Sequence, residues 1–543
     1  MRPYIFYSIF FMWYLLPANT TFAYTHADTL RGSNGIGRYW WDVQHYDLNI
    51  RLDTATKTIE GINKISFTVT HKPHDSMQID LQEPMVLDFV DLGTEKLKFT
   101  KDGNVYWVKY SFSSWNQGKT ETISIGYHGA PRIAKNPPWD GGFIWTKDST
   151  GKPWIAVACQ GLGASVWWPC KDIQSDEPDS GMDMTYKVPS GLICIGNGKL
   201  VEQNGLSYHY TQWHWQVKNP INNYDVSFYI GDYVHWQDTL DGEKGKLPLD
   251  FCVLRYNEAK ARKQFEIVKP MLQCFENKMG PYPFYEDGYK LVEAPYLGME
   301  HQSAVAYGNL YKMGYLGLDR SLSGQGLKFD FIIVHESGHE WFGNNITAKD
   351  IADNWIHEGI TTYSETIFAE CLLGKEAAYQ YCRGEWHNIR NDKPIIGDYG
   401  VQNEGSGDMY DKGSAVIHMI RMMMDDDKKF FKILKGLNET FYHSTVTSAD
   451  VENYISKHSK LDLQAFFNQY LRSTDIPELE YYVKDKQLFF HFNNIVPGFT
   501  LPLELSDGTK LREISPSSDW QHVSWKGGYN ISFSKDFLIR IKE

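Results

Sequence analysis

The chain has 543 residues, of which 42% are hydrophobic and 22% are charged, as in ordinary globular proteins. This length is too great for a single hydrophobic core, and we expect about three domains. The net charge of −13, without any basic cluster along the chain, excludes nucleic acid as the expected partner.

The first 23 residues have the features of a secretory signal peptide. Arg2 supplies a positive charge, residues 4–16 are almost wholly apolar, and residues 21–23 suit signal-peptidase cleavage. The alternative is a retained membrane anchor, but the apolar run is shorter than the roughly 20 residues that a span needs. We therefore predict a signal peptide over 1–23 and an exported protein, periplasmic or secreted, with no stable membrane span.

Residues 36–243 are predicted to form a large β-sheet domain. Apolar and polar residues alternate over 46–52 and, more loosely, over 59–69, as they do in half-buried strands. Clusters of asparagine, aspartate and glycine recur between such segments, and no long helical period appears.

Residues 244–475 are predicted to form a mostly helical domain with a small sheet. Helical patterns cover 257–278, 328–344, 354–373, 375–391, 410–424, 427–436, 447–458 and 463–471. Pro270 is expected to kink the first of these helices, and strands are expected near 290–292 and 299–304. After Pro477 the alternating pattern returns, which predicts a small C-terminal β-sandwich over 476–543. The fold class is therefore α+β with several domains.

Seven cysteines are spread along the chain, and their odd number leaves at least one thiol free. Cys371 and Cys382 flank Gly374 between two predicted helices, so they are candidates for a disulfide. Buried free thiols explain the same residues equally well, and the spacing does not decide between these alternatives.

The predicted helix over 328–344 carries the pattern His-Glu-x-x-His. His335 and His339 are four residues apart and therefore lie on one face of a helix, where both imidazoles can bind one metal ion. The alternative is a helix whose histidines are ordinary surface or core residues. The preceding residues are strongly apolar, and ionisable groups in such a helix are costly without a function. Glu336, beside the first histidine, is then the general base that activates water.

Glu358 is the predicted third ligand. Eighteen residues separate it from His339, and two consecutive helices with a short connection can pack antiparallel and bring it to the histidines. Two histidines and one glutamate, with water in the fourth position, form a catalytic zinc site, so we expect one Zn²⁺ per chain. Glu365 lies two turns further on the same face. A hydrogen bond to a ligand histidine and a plain solvated side chain are equally compatible with its spacing.

Several motifs resemble those of the gluzincin zinc aminopeptidases, the family of aminopeptidase N and leukotriene hydrolase (peptidase family M1). Besides the two histidines and Glu358, they are His-x-Trp-Phe-Gly-Asn at 339–344, Asn-Trp-Ile-His-Glu-Gly at 354–359 and Leu-Gly-Met-Glu-His at 297–301. They recur in the family's order and spacing. The resemblance implies a saddle-like N-terminal β domain and a thermolysin-like catalytic domain.

The resemblance also implies roles for residues that the pattern alone does not single out. Glu300 corresponds to the glutamate that binds the free α-amine of the substrate, and Gln160 to a second contact on that side. Gly298 and Met299 correspond to backbone groups that hold the extended peptide. Tyr410, in Tyr-Asp-Lys-Gly, corresponds to the tyrosine that stabilises the oxyanion. Without the resemblance, Tyr410 is better explained as an aromatic residue packed at a helix start.

Two departures from the family pattern are visible. His301 replaces the usual asparagine beside Glu300, which affects the local hydrogen bonding. The chain also resembles a short form that lacks the large C-terminal helical domain of many relatives, so we expect either a more open site or one that another subunit covers.

The predicted function is zinc-dependent hydrolysis of the N-terminal peptide bond of peptides with a free N-terminus. Alternatives are an endopeptidase or an epoxide hydrolase built on the same site. A third is a peptide-binding or adhesion protein that has kept only the fold. The sequence does not predict the oligomeric state.

Overall fold

The computed structural model describes residues 23–543 apart from 111–116, 207–208, 509–510, 526 and 528–530. The predicted signal peptide over 1–23 lies, except for its last residue, outside this part of the chain. Among the described residues, no helix has the length and apolar character that a membrane crossing requires.

The N-terminal domain is built from sheets, as predicted. Its elements are α1 (His26–Gly32), β1 (Trp41–Asp53), β2 (Thr58–Val69), β3 (Ser76–Asp80), β4 (Val86–Leu92), β5 (Glu95–Lys96), β6 (Phe99–Asp102), β7 (Val105–Lys109), β8 (Thr120–Gly129), β9 (Gly142–Lys147), β10 (Pro153–Ala158), β11 (Met182–Pro189), β12 (Ile193–Gly196), β13 (Lys199–Gly205), β14 (Tyr210–Val217) and β15 (Phe228–Gly231). An eight-stranded sheet has the order β13-β14-β11-β1-β2-β8-β4-β5, and smaller sheets have the orders β12-β15-β10-β9 and β3-β7-β6. The alternating apolar residues of β1 face the buried side, which explains why its sequence shows a period of two.

The central domain is mainly helical. Its elements are β16 (Tyr233–Gly242), β17 (Gly245–Leu254), α2 (Glu258–Gln264), α3 (Val268–Met279), β18 (Tyr289–Glu293), β19 (Gly298–Met299), β20 (Val305–Tyr307), α4 (Phe331–Gly338), β21 (Ile346–Ala348), α5 (Trp355–Leu373), α6 (Lys375–Glu385), α7 (Asp411–Met424), α8 (Asp427–Thr440), β22 (Ser444–Val446), α9 (Ser448–Ser459) and α10 (Gln464–Leu471). Its sheet has the order β16-β17-β18-β20-β19. The predicted boundary between 243 and 244 therefore lies in the turn of the β16–β17 hairpin, within one sheet.

Two helix predictions differ from the structure. The segment 257–278 is divided into α2 and α3 by a short 3-10 turn at Phe265–Ile267, before Pro270. Glu266, the residue four positions before Pro270, lies in this turn, so the interruption occurs where a proline disrupts the helical hydrogen bonds. The predicted helix over 328–344 is shorter, because α4 begins after its cap at Asp330 and ends at Gly338.

The C-terminal strands are β23 (Glu478–Lys484), β24 (Gln487–Asn493), β25 (Leu503–Ser506), β26 (Leu511–Ile514), β27 (Gln521–Ser524), β28 (Ser532–Phe533) and β29 (Arg540–Lys542). They form sheets of order β27-β24-β23-β29 and β26-β25-β28. The apolar side chains of these strands join those of the helical domain in one continuous core, whereas the N-terminal domain has its own. Asp536 also lies 3.2 Å from Nε2 of His418 in α7.

The suggested disulfide between Cys371 and Cys382 is wrong. Cys371, near the end of α5, is bonded to Cys274 of α3, and Cys382 is a buried free thiol. The helices α3 and α5 are distant in sequence but pack against each other, and this tertiary contact leaves no local trace in the spacing of the cysteines.

Candidate metal centre and active site

Helix α4 is held in the interior by the residue before it. The side chain of Asp330 accepts hydrogen bonds from the N–H groups of Ile332 and Ile333, which caps the helix. Gln264 and Tyr307 donate to the same carboxylate from neighbouring elements. Every residue of α4 is buried, so the position of its polar face is fixed from all sides.

His335, His339 and Glu358 converge on one point. The Nε2 atoms of the two histidines are 3.2 Å apart, and Oε2 of Glu358 lies 3.6 Å from that of His335 and 3.3 Å from that of His339. All three side chains are buried, and Oε2 of Glu358 has no hydrogen-bond partner in the described part of the chain. Three ligand atoms this close, one of them a buried unpaired carboxylate oxygen, fit a bound cation, and two imidazoles with one carboxylate are a zinc set.

The remaining ring nitrogens fix both imidazoles. Nδ1 of His335 lies 2.7 Å from Oε1 of Glu365, and Nδ1 of His339 lies 3.0 Å from the carbonyl oxygen of Phe342. Both Nδ1 atoms thus act as donors, which leaves both Nε2 atoms available to bind a metal ion. Of the two alternatives for Glu365, the structure has the hydrogen bond to a ligand histidine. The same carboxylate accepts a bond from Tyr381, which the sequence did not indicate.

Close packing of α5 and α7 places Glu358 beside Tyr410. A Cβ atom on Gly359 would lie 2.9 Å from Cα of Gly413, so the two helices meet where both have glycine. Tyr410 is the cap residue of α7, and its ring stacks at 6.0 Å on that of His335. Burial, reinforced by Glu358 and Glu300, raises the pKa of Tyr410 well above its usual value. The hydroxyl is therefore a hydrogen-bond donor at neutral pH.

Glu300 forms the polar end of the site on the side of the N-terminal domain. Its Oε1 accepts hydrogen bonds from Nε2 of Gln160 at 2.5 Å and from the hydroxyl of Tyr224 at 3.2 Å. Gln160 also lies 3.3 Å from Oε1 of Glu358, so the pair adjoins the candidate metal ligands. Burial raises the pKa of Glu300. The sequence did not single out Tyr224, which lies outside any recognisable motif.

His301 takes a structural position. Its Nδ1 lies 2.7 Å from the hydroxyl of Tyr229, and burial lowers its pKa to about 3, so the ring is neutral. The carbonyl oxygen of Glu300 accepts a bond from the side chain of Asn344 instead. The replacement of asparagine by His301 therefore leaves Glu300 held from other sides.

Glu336 lies against the edge strand β19. A Cβ atom at Gly298 would be 2.4 Å from Oε1 of Glu336, so only glycine leaves room for this carboxylate. Burial raises the pKa of Glu336 to about 8, while His335 opposes this shift and Glu300 adds to it. Gly298 and Met299 pair with β20 on one side only. Their other side borders the cleft, where an extended chain can add as a strand.

All of these predicted site residues except Glu365 line one cavity of about 880 Å³ between the N-terminal and helical domains. The cavity also contains residues that the sequence did not indicate, including Trp139, Phe331, Arg320 and Arg390. Its size suits a small peptide or a comparable ligand.

Comparison with known proteins gives the family of the helical domain. Residues 263–470 match the Peptidase family M1 domain. The chain contains a peptidase family M1 domain. This region of the chain includes α4, α5 and α7, which carry the candidate zinc ligands, Glu336 and Tyr410 at the cap of α7.

Curated relatives are distant in sequence. Aminopeptidase N of Lactobacillus helveticus is 22% identical over 467 residues, covering 81% of this chain and 52% of its own. Aminopeptidase B of Mus musculus is 23% identical over 331 residues, covering 57% of this chain and 47% of its own. Leukotriene A-4 hydrolase of Xenopus laevis is 23% identical over 457 residues, covering 77% of this chain and 69% of its own. The chain spans about half the length of the two aminopeptidases.

Solved M1 structures share the fold. An M1 zinc metallopeptidase mutant of Deinococcus radiodurans, bound to the substrate Tyr-Ser-Ala, has a TM-score of 0.66 and 17% identity, covering 82% of this chain and 98% of its own. Legionella pneumophila aminopeptidase A in complex with aspartic acid has a TM-score of 0.75 and 16% identity, covering 93% and 60%. The predicted arrangement of an N-terminal β domain, an M1 domain and C-terminal strands is thus confirmed.

Proposed function

We propose that this protein is a zinc-dependent aminopeptidase with one Zn²⁺ per chain. The observation that carries the proposal is the buried carboxylate of Glu300, held by Gln160 and Tyr224 next to the candidate zinc ligands. A carboxylate at this place binds an ammonium group, and it stands where an endopeptidase would have to admit further chain. Relatives and structural neighbours named as aminopeptidases support the same activity.

The zinc ion would be held by His335, His339 and Glu358, and it supplies Lewis-acid chemistry that acidifies water and polarises a carbonyl. Glu365 and the carbonyl of Phe342 accept hydrogen bonds from Nδ1 of the two histidines, which leaves both Nε2 atoms to bind the metal. The fixed rings present Nε2 at no further conformational cost.

Glu336 is the general base in this proposal. Its carboxylate removes the proton from the water that attacks the scissile carbonyl, and it then delivers that proton to the departing amine. The strand residue Gly298 leaves space for this carboxylate at the edge where the peptide backbone would lie.

Tyr410 stabilises the developing negative charge. Its hydroxyl remains protonated, because burial and the neighbouring carboxylates raise its pKa. The ring stacks on that of His335 with 6.0 Å between the centroids, so it lies beside a candidate zinc ligand. A fixed donor of this kind lowers the free energy of the tetrahedral intermediate more than that of the substrate.

A matched pair of peptides tests the proposal. A peptide with a free N-terminus and its N-acetylated form should differ by several orders of magnitude in kcat/KM, and a chelator should abolish the activity on the free form. Equal cleavage of both peptides would show an endopeptidase instead.

We also propose that the mature protein is exported, on the signal-peptide features of residues 1–23. Sequencing the N-terminus of the protein recovered from the periplasm and from the medium tests this. A cytoplasmic protein that still begins at Met1 would contradict it.

A further inference from the structure

Arg320 is a cationic side chain that lines the cavity. Its Nη2 donates to both oxygens of Asp411, at 3.1 and 2.9 Å, and about a quarter of its side chain is exposed. Its Nε and Nη1 atoms make no hydrogen bond to any residue that the structure describes. One edge of the guanidinium is therefore fixed by Asp411, and the rest borders the cavity.

Arg320 and Glu300 lie beside opposite ends of α4. The guanidinium lies 5.2 Å above the ring of Phe331, which stacks at 5.4 Å on His335. Glu300 instead groups with Glu336 and His339, with ligand atoms within 4.8 Å of one another. Positions 331, 335 and 339 succeed each other along one helical face, so the candidate zinc ligands lie between the arginine and the glutamate.

We propose that Arg320 binds the C-terminal carboxylate of short peptides, so that the preferred substrates are dipeptides and tripeptides with both ends free. This inference rests on the proposed aminopeptidase function and adds the substrate class. A guanidinium is planar and offers several N–H donors in a fixed geometry, which is the arrangement that recognises a carboxylate.

The spacing along α4 of the residues that these two side chains contact is comparable with the length of such substrates. Eight residues of helix separate positions 331 and 339, which corresponds to about 12 Å along the axis. An extended dipeptide spans roughly 7 Å and a tripeptide roughly 10 Å. Adding one hydrogen bond of about 3 Å at each end gives about 13 to 16 Å. An extended peptide of four or more residues is longer than this spacing.

The neighbouring carboxylates do not remove the charge that Arg320 offers. Glu365 is already engaged by His335 and Tyr381. Glu385 is buried, and burial together with Glu365 and Asp411 raises its pKa well above the usual range, which favours its neutral form. Asp411 is the carboxylate that accepts hydrogen bonds from Arg320, and it occupies only Nη2.

The test compares Leu-Ala with its C-terminal amide, Leu-Ala-NH2, in the zinc-loaded protein. We expect the wild type to prefer the free acid in kcat/KM by about tenfold or more, the usual effect of a charge-assisted hydrogen bond in a partly desolvated site. Arg320→Gln should bring this ratio close to one. The control is Arg390→Gln, because Arg390 lines the same cavity but is exposed, and it should keep the wild-type ratio.

The ratio of kcat/KM for the acid to that for the amide distinguishes carboxylate recognition by Arg320 from a purely structural role. A merely structural role of Arg320 would lower both rates equally in Arg320→Gln and leave the ratio unchanged, which would overturn the proposal. A wild-type ratio near one would also overturn it, while hydrolysis of the amide would leave the aminopeptidase activity standing. Loss of the preference in Arg390→Gln alone would move the carboxylate site to Arg390. Failure of the wild type to cleave either dipeptide would contradict both proposals.

Discussion

Oε1 of Glu365 accepts a hydrogen bond from Nδ1 of His335 at a distance of 2.7 Å, and this bond turns Nε2 of that ring towards Glu358. The two glutamates lie two turns apart on α5, so a single helix carries both a candidate zinc ligand and the residue that orients another one. The rigidity of α5 is therefore part of the geometry of the site.

The first prediction concerns Glu365 itself. Glu365→Gln should weaken zinc binding by about 10- to 100-fold, because the second partner of a ligand histidine fixes its tautomer and orientation. Competition with a chelator of known affinity measures this. Glu376→Gln, on the exposed side of α6, is the matched control. Equal zinc affinity in Glu365→Gln and the wild type would contradict the assigned role.

The second prediction separates metal binding from proton transfer. Glu336→Gln should keep its zinc, because Glu336 is not among the three converging ligands, but it should lose about 10²- to 10⁴-fold in kcat. Metal analysis and steady-state kinetics on one preparation give both values. A variant with normal turnover would exclude Glu336 as the base.

The third prediction addresses Tyr410. Removal of one oxyanion donor costs roughly 10²- to 10³-fold in kcat, so Tyr410→Phe should lower kcat by this amount with little change in KM. Its ring contact with His335 is kept in the variant, so the fold and the zinc content should be unaffected. Tyr482→Phe, on an exposed C-terminal strand, serves as control. A change confined to KM would assign Tyr410 to substrate binding instead.

The fourth prediction is a pH dependence of stability. Burial raises the pKa of Glu177 from near 4.5 to about 7, although Thr347 and Asn222 act in the opposite direction. The folded state therefore binds this proton more tightly than the unfolded state. The stabilisation that Glu177 gives the folded state is fully present below about pH 4.5 and is lost as the pH rises to about 7. The shift corresponds to about 3 kcal/mol at most.

Glu177→Gln should remove this loss, so the variant should gain stability relative to the wild type between pH 5 and pH 8. Chemical denaturation at the two pH values measures the difference, with Glu95→Gln on the exposed strand β5 as control. Parallel changes in wild type and Glu177→Gln would mean that Glu177 does not titrate in this range.

The fifth prediction concerns the cysteines. Peptide mapping without reduction should recover a linked pair that contains Cys274 and Cys371, and no pair that contains Cys382. The bond closes a loop of 97 residues, so Cys274→Ala should lower the free energy of unfolding by about 2–4 kcal/mol. Cys382→Ala is the control for the loss of a buried sulfur without loss of a cross-link. A linked pair of Cys371 and Cys382 would refute the assignment.

The sequence predicted those parts of the site that depend on local geometry. His335 and His339 are fixed by the helical period, and Glu358 by the short connection to the next helix. Glu300, Gln160 and Tyr410 have no local signature, and only the resemblance to a family singled them out. Tyr224, Arg320 and the partner of Cys371 escaped both approaches, because each owes its place to packing between distant segments.

The same distinction applies to the fold. Alternation predicted the N-terminal sheets and the C-terminal strands, and the helical pattern over 447–458 predicted α9, which begins with a capping box of Thr447 and Asp450. The break between α2 and α3 lies just before Pro270, the residue at which the sequence predicted a kink, although the helical period continues through it. The predicted boundary at 243/244 divides the β16–β17 hairpin. The parallel pairing of β17 with β18 joins this hairpin to the sheet of the central domain, and a strand's own residues do not specify such a pairing.

The continuous core between the helical domain and the C-terminal strands changes what counts as the functional unit. Residue Asp536 contacts His418 of α7, the helix whose first turn presents Tyr410. The C-terminal strands thus support the helix that begins after Tyr410. A fragment trimmed to the recognisable family region, 263–470, would expose this contact surface and remove the support of that helix.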